Sequence, residues 1–205
     1  ILLQYLDTLS LPKRDFISSP TYAIINSTDT NSIFYQSENY GNIPKSGMIF
    51  GILLRGILKV GDMVEIRPGV AIKTYSNEIK IAPLRTRITS INSERNNLIY
   101  AIPGGMLSIG IKIDSSVCRG NALEGKIMGI TGNVQDIFSK IIVKCYLVRR
   151  MIKINQKEFF KHIEHVTDIK KQEVLLLNIG FSSVGGVVTK IEGNNNDEIT
   201  FTVRN

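Results

Sequence analysis

The chain has 205 residues, of which 43% are hydrophobic and 21% charged, so it carries enough apolar material for packed cores and is not intrinsically disordered. The 25 Lys and Arg exceed the 18 Asp and Glu, and the resulting net charge of +7 favours a polyanionic partner. No apolar run approaches the roughly 20 residues of a membrane span, and Cys118 and Cys145 are too few for a disulfide framework. We therefore expect a cytoplasmic protein with no membrane partner.

The chain opens with one helical pattern and continues as strands. Leu2, Leu3, Leu6 and Leu9 recur at three- and four-residue spacing, and Pro12 ends the pattern. Runs rich in Val, Ile, Tyr, Phe and Thr follow, separated by Gly, Pro and Asn. They predict strands at 20–26, 47–57, 62–67, 84–91, 106–113, 123–130, 138–148, 173–180, 184–192 and 198–203.

These runs predict an all-β protein built from antiparallel sheets. Sheets of this size need closure or covering to protect their edges, which favours two tandem small β-barrels. Two glycines at 129–132 separate neighbouring strand runs, and we place the domain boundary there. The resulting division is an N-terminal stretch 1–16, a first barrel 17–132 and a second barrel 133–205.

The motifs of common catalytic and nucleotide sites are missing from the sequence. It contains no GxxxxGK[ST] phosphate loop, no GxGxxG turn and no GxSxG elbow. His162 and His165 would share a face as metal ligands only if their segment were helical. We therefore expect no catalytic, cofactor-binding or metal-binding residue, and no enzyme activity, in this chain.

Positive charge is concentrated in two parts of the sequence. Residues 140–171 hold nine Lys and Arg against three acidic residues, and 55–95 hold eight against four. Such clusters suit contact with a phosphate backbone, and they make Arg149, Arg150 and Lys153 candidate RNA contacts. An ordinary solvated face is the alternative interpretation.

One long motif carries a family resemblance. The segment Gly51-Ile-Leu-Leu-Arg-Gly-Ile-Leu-Lys-Val-Gly-Asp-Met-Val-Glu-Ile-Arg-Pro-Gly69 resembles the start of the second domain of translational GTPases, including elongation factor Tu and its selenocysteine-specific relative. Further stretches resemble the gamma subunit of eukaryotic and archaeal initiation factor 2. They are Leu11-Pro-Lys-Arg-Asp-Phe-Ile-Ser-Ser-Pro20, Tyr100-Ala-Ile-Pro-Gly-Gly105, Gly110-Ile-Lys-Ile-Asp114, Gly125-Lys-Ile-Met-Gly129 and Glu173-Val-Leu-Leu-Leu-Asn-Ile-Gly180.

The resemblance implies an architecture and a function. It implies the second barrel and a truncated third barrel of a three-domain GTPase, with 1–16 as the end of the GTPase domain and a linker. GTP and Mg²⁺ would then belong to the missing N-terminal domain. The implied partners are initiator methionyl-tRNA, the alpha and beta subunits of the same factor and the small ribosomal subunit.

The resemblance also implies a binding site for the methionylated tRNA end. Its candidate residues are Gly51, Arg55, Ile57, Lys59, Ala101, Ile102, Gly104 and Gly105. Arg55 and Lys59 would neutralise phosphates, and Ile57 or Ile102 would pack on the terminal adenine. Gly56, Gly61 and Gly69 are also explained as turn or bulge residues. The alternative function is a protein-interaction module, of this factor or of another translational GTPase.

Overall fold

Strands dominate the computed structural model, which describes residues 2–10, 12–30, 47–73, 79–146, 150–154, 161–165, 168–195 and 198–204. Two compact units are present: residues 1–136 with 180–182, and residues 137–179 with 183–205. The predicted boundary between 132 and 133 stays a prediction. No helix in the described ranges has the length and apolar character needed to cross a bilayer.

The described residues of the first unit form one short helix, nine strands and a 3-10 segment. In chain order they are α1 (Leu2–Asp7), β1 (Thr21–Asp29), β2 (Gly47–Arg55), β3 (Leu58–Lys59), β4 (Met63–Lys73), β5 (Ile79–Ser93), β6 (Asn96–Leu98), β7 (Tyr100–Ala101), β8 (Met106–Ile111), the 3-10 segment Ser115–Asn121 and β9 (Ile127–Ile130). The leucines that predicted the helix are confirmed as helical at positions 2, 3 and 6, and they are exposed.

Six strands of this unit close into an antiparallel barrel. Their order is β4-β9-β1-β2-β8-β5, and β5 pairs back onto β4 to complete the ring. Closure leaves none of the six with a free edge, which is how small β domains avoid exposing unpaired backbone groups. The all-β prediction is confirmed.

The barrel core follows from alternation along each strand. On β2, buried Ile49 and Leu53 alternate with half-buried or exposed neighbours, because successive strand residues point to opposite faces. The fully buried large side chains come from most strands of the ring and from the connections between them. They are Tyr22, Ile24, Ile49, Leu53, Leu58, Ile66, Ile88, Ile91, Ile109, Ile111, Leu123 and Met128.

The 3-10 segment is tied to β1 through a buried hydroxyl. Ser27 Oγ donates to the Cys118 carbonyl and accepts from the Leu123 N–H, each at 3.1 Å. Leu123 therefore lies in a turn packed into the core, and the predicted strand 123–130 is wrong at its start. The strand begins only at Ile127.

Glu65 forms a buried ionic cluster on β4. Its carboxylate has no exposed side-chain surface and accepts hydrogen bonds from Arg67 and Arg85, and Arg67 also pairs with Asp136. Burial alone would raise the pKa of Glu65, but the hydrogen bonds from the two guanidinium groups outweigh it, and the pKa lies below its ordinary value. The cluster holds the 131–136 connection against the barrel.

Six strands lie in the part of the second unit that the structure describes. They are β10 (Lys140–Tyr146), β11 (Arg150–Ile154), β12 (Lys161–His165), β13 (Val174–Ile179), β14 (Ser182–Asn195) and β15 (Glu198–Arg204). Four form a sheet in the order β10-β15-β14-β13, while β11 and β12 form a separate ribbon. Val188 is buried against half-buried side chains of this unit, and sheet closure is not seen in the ranges that the structure describes.

Strands β11 and β12 fall where the sequence offered no strand prediction. Their register places Arg150 opposite His165 and Lys153 opposite His162. Because His162 and His165 lie on a strand, the helical spacing that a shared metal site required is absent.

The phenol of Tyr22 offers a test of the barrel core. Tyr22 is fully buried, and its hydroxyl donates to the Leu107 carbonyl at 2.8 Å. We expect Tyr22→Phe to lower the free energy of unfolding by about 1 kcal/mol, because the buried carbonyl loses its donor. Thermal unfolding followed by circular dichroism measures this, with Tyr100→Phe on an exposed residue as the control. Equal melting temperatures for the two variants would contradict the assignment.

The ionic cluster predicts a pH dependence. We expect Glu65→Gln to lower the free energy of unfolding by about 1–3 kcal/mol near neutral pH, since a neutral amide balances neither arginine. Folding lowers the pKa of Glu65, so the stabilisation is present above the unfolded-state pKa of about 4.3 and is lost as the pH falls through the folded-state pKa. The difference in melting temperature between wild type and variant should therefore shrink below about pH 4. A difference that is constant across the acid range would refute this role.

Candidate nucleic-acid interface

A two-stranded ribbon brings the two predicted segments of the site together. Strand β3 pairs with β7 so that Leu58 lies opposite Ala101 and Lys59 opposite Tyr100. Continuing this antiparallel register places Ile57 opposite Ile102. Residues that are far apart in the chain thus lie side by side in this ribbon, and their role in binding stays a prediction.

The two faces of this ribbon differ in character. Leu58 and Ala101 are buried and anchor the ribbon in the core. Ile57, Ile102 and Tyr100 are 36%, 43% and 57% exposed, so the outer face presents apolar surface to solvent. Ala101 therefore supports the surface from beneath, whereas the two isoleucines form part of it.

The cations of the site are held at the ends of the ribbon. Arg55 ends β2, and its Nε donates to Thr21 Oγ1 at 2.9 Å. The Lys59 N–H donates to Asp62 Oδ2 at 2.8 Å, which fixes the β3–β4 turn and leaves the ammonium group exposed. Arg55 thus precedes Ile57 by two residues and Lys59 follows it by two, which brings two cationic residues close to the exposed isoleucine along the chain.

Gly56 joins the barrel to the leading segment, defined here as residues 12–20. Its N–H donates to the Asp15 carbonyl at 2.8 Å. Gly56 has φ +75°, and a Cβ there would lie 2.5 Å from the Ser18 carbonyl oxygen and 2.6 Å from Pro20 Cα. Only glycine allows the leading segment to approach so closely.

The carboxylate of Asp15 organises the leading segment itself. Its Oδ1 accepts hydrogen bonds from the N–H groups of Ile17 and Ser18, each at 3.0 Å. The hydrogen bonds from Ser18 are the main reason that the pKa of Asp15 lies below its ordinary value. The hydrogen bond from Ile17 and the positive charge of Arg55 lower this pKa further. The segment thus reaches the barrel with a defined turn.

A second glycine turn lies at the other end of the site. Gly104 and Gly105 have φ of +117° and +71°. A Cβ on Gly104 would lie 2.9 Å from Cζ of Arg14, so the guanidinium group rests against this turn. Sequence reasoning did not select Arg14 as a site residue. The signal for Arg14 in the sequence is the Lys-Arg-Asp-Phe motif, which resembles the family without marking a binding residue.

Gly51 does not share the surface of the other candidates. It is buried in β2, paired with Ile24 of β1 and Leu107 of β8. A Cβ at Gly51 would lie 2.0 Å from the Ala23 carbonyl oxygen. Its geometry gives it a packing role, and we leave it out of the binding surface.

The remaining glycines and the second group of RNA candidates also have definite positions. Gly61 has φ +95°, and Gly69 lies in the bulge between Ile66 and Val70, so the turn-or-bulge explanation of these glycines is confirmed. Arg150 and Lys153 lie on β11 of the second unit, whereas Arg149 is outside the described residues. Their contact with RNA stays a prediction.

Cysteine and metal chemistry has little support in the described ranges. Cys118 is fully buried, and burial raises the pKa of its thiol to about 11, which keeps it protonated at neutral pH. The adjacent Arg119 pairs instead with Asp29 at 3.0 Å. No cluster of three His, Cys, Asp or Glu residues suited to a metal ion occurs in the part of the chain that the structure describes.

Known proteins resemble this chain along most of its length. Residues 139–204 match the family described as "Initiation factor eIF2 gamma, C terminal". The chain is 35% identical over 194 residues to "Eukaryotic translation initiation factor 2 subunit 3" of Drosophila melanogaster, covering 94% of this chain and 40% of that protein. It is 32% identical over 192 residues to "Eukaryotic translation initiation factor 2 subunit gamma" of Schizosaccharomyces pombe, covering 93% and 42%. The chain thus spans about two fifths of the length of these relatives.

Two glycines with positive φ provide a matched test of the site geometry. We expect Gly56→Ala to lower the free energy of unfolding by more than Gly61→Ala does. In both variants the alanine must adopt a left-handed conformation, which costs about 1 kcal/mol, but only at Gly56 does the added Cβ also clash with neighbouring atoms. Chemical denaturation of both variants measures the difference. Equal losses would mean that the leading segment is not packed on Gly56.

Proposed function

Because the chain belongs to the gamma-subunit family of translation initiation factor 2, we propose that its first barrel binds the aminoacylated end of initiator methionyl-tRNA. The observation that carries this proposal is the β3–β7 ribbon, which places exposed Ile57 opposite exposed Ile102, with Arg55 two residues before Ile57 in the chain and Lys59 two residues after it. An apolar surface close to cations suits the end of a tRNA, where an unpaired base adjoins a charged backbone.

Each group on this surface has a role in the proposal. Arg55 and Lys59 neutralise phosphates, and the isoleucines pack against the terminal adenine. Gly105 lacks a side chain, and a Cβ there would have nothing within 4 Å, so the terminal ribose can approach the backbone at this position, while the Arg14 guanidinium lies against Gly104. Ala101 holds the ribbon in the core beneath them.

The rest of the proposed function lies outside this chain. A preceding GTPase domain would hold GTP and Mg²⁺ and form the opposite wall of the tRNA pocket. The whole protein would act in the cytoplasm with its alpha and beta subunits and carry the tRNA to the small ribosomal subunit. In that arrangement the hydrolytic chemistry belongs to the other domain, and the barrels serve binding.

The second unit adds a basic region to this proposal. Residues 140–171 hold nine Lys and Arg against three acidic residues, and Arg149, Arg150 and Lys153 would contact tRNA or ribosomal RNA there. The test is a variant in which the charges of Arg149 and Arg150 are reversed. If this variant assembles on the small ribosomal subunit as well as wild type does, the contact is refuted.

A protein-interaction module is the second candidate function. Ile99 and Tyr100 are 81% and 57% exposed, and their segment pairs with the one that carries Ile57, since the Val60 N–H donates to the Ile99 carbonyl. Exposed apolar residues of this kind also serve as protein interfaces. Under this alternative the ribbon would hold the alpha subunit or a partner of another translational GTPase. Its test is whether Ile99→Ser weakens capture of the purified alpha subunit while leaving tRNA affinity unchanged.

Arg55 provides the direct test of tRNA binding. In a full-length gamma subunit containing this chain, Arg55→Ala should weaken binding of methionyl-tRNA several-fold. It should also reduce the slope of log K against log salt by about 0.7–0.9, the value for one lost phosphate contact. Filter-binding titrations at several salt concentrations measure both quantities.

The control for that experiment is Lys112→Ala. Lys112 is exposed and follows β8 at Ile111, which pairs with Gly47 at the opposite end of β2 from Arg55. The substitution removes the same charge far from the ribbon and should leave the slope unchanged. Identical slopes for wild type and both variants would overturn the proposed function of the ribbon.

A further inference from the structure

We infer that Arg14 is a further phosphate-binding residue of this surface, brought there by the leading segment. The inference rests on the proposed function of the β3–β7 ribbon and extends it to a part of the chain outside the barrel strands. It would make Arg14 part of the RNA-binding surface, in addition to the role of the leading segment as a connection to the barrel.

The leading segment touches both halves of the site. Near its middle, the Asp15 carbonyl accepts the Gly56 N–H at 2.8 Å, directly after Arg55. One residue earlier, the Arg14 guanidinium lies against the turn at Gly104. Consecutive residues of the segment therefore contact the β2–β3 turn and the turn that follows β7.

This placement is held by specific interactions. The Asp15 carboxylate accepts two backbone N–H groups and so defines the turn that follows Arg14. Gly104 has no Cβ, and an added one would lie 2.9–3.2 Å from three atoms of the guanidinium group. The glycine at 104 thus makes the space that Arg14 uses.

The charge of Arg14 is available to a ligand. Arg14 is exposed, and no ion pair joins it to an acidic side chain of the described residues. The two carboxylates of this region, Asp15 and Asp62, already accept backbone N–H groups. A guanidinium group binds phosphate with two parallel hydrogen bonds, which gives Arg14 more specificity than a lysine would have there.

The experiment uses the full-length gamma subunit containing this chain, with methionyl-tRNA as the probe. Arg14→Ala should weaken binding several-fold and reduce the salt slope by about 0.7–0.9. Arg14→Lys should keep the slope, since it keeps the charge, and lose part of the affinity with the bidentate geometry. Thermal unfolding of both variants should match wild type, because the side chain is exposed.

The neighbouring Lys13 supplies a charge-matched control. It is exposed one position earlier, so Lys13→Ala changes net charge equally and should leave the slope unchanged. If Arg14→Ala and Lys13→Ala change the affinity for methionyl-tRNA and its salt slope equally, the assignment of Arg14 is overturned. Should Arg55→Ala lower the slope in the same assay, the ribbon's function survives that failure. If Arg55→Ala has no effect either, the proposed function fails too.

Discussion

The pairing of β5 back onto β4 is the constraint on which the first unit depends. It closes six strands into a ring, gives every strand two neighbours and forces alternate side chains into one core. The β3–β7 ribbon is attached to that ring through buried Leu58 and Ala101. The packing of the core therefore sets the positions of Ile57, Lys59 and Ile102.

The leading segment and the ribbon depend on one another in the same way. Gly56 adopts a positive φ that is unfavourable for residues with a side chain. In this conformation the Gly56 N–H donates to the Asp15 carbonyl, and the adjacent Arg14 reaches the turn at Gly104. The site is thus assembled from three stretches of chain that meet at two glycine turns. Such a scaffold presents cations at fixed positions, which a flexible basic tail would not do.

The two units contribute different physical properties to the proposed function. The first supplies a closed core and a small surface of mixed apolar and cationic character, with the buried carboxylate cluster at Glu65 serving stability. The second carries most of the excess charge, in residues 140–171. A division between a shaped site and a basic region is consistent with binding an end group and a phosphate backbone at once.

The sequence by itself determined the strand content, the helix at the start and the segments that form the site, because alternation and glycine motifs are local properties. It also indicated the family, through motifs that span most of the chain. Only the tertiary structure decided which candidates reach the surface. Gly51 and Ala101 are buried by strand pairing, Arg14 is brought in by the hydrogen bond between its neighbour Asp15 and Gly56, and β11 and β12 form where no local pattern predicted them. The burial of Gly51 and Ala101 and the placement of Arg14 depend on contacts between residues distant in sequence, which local patterns do not encode.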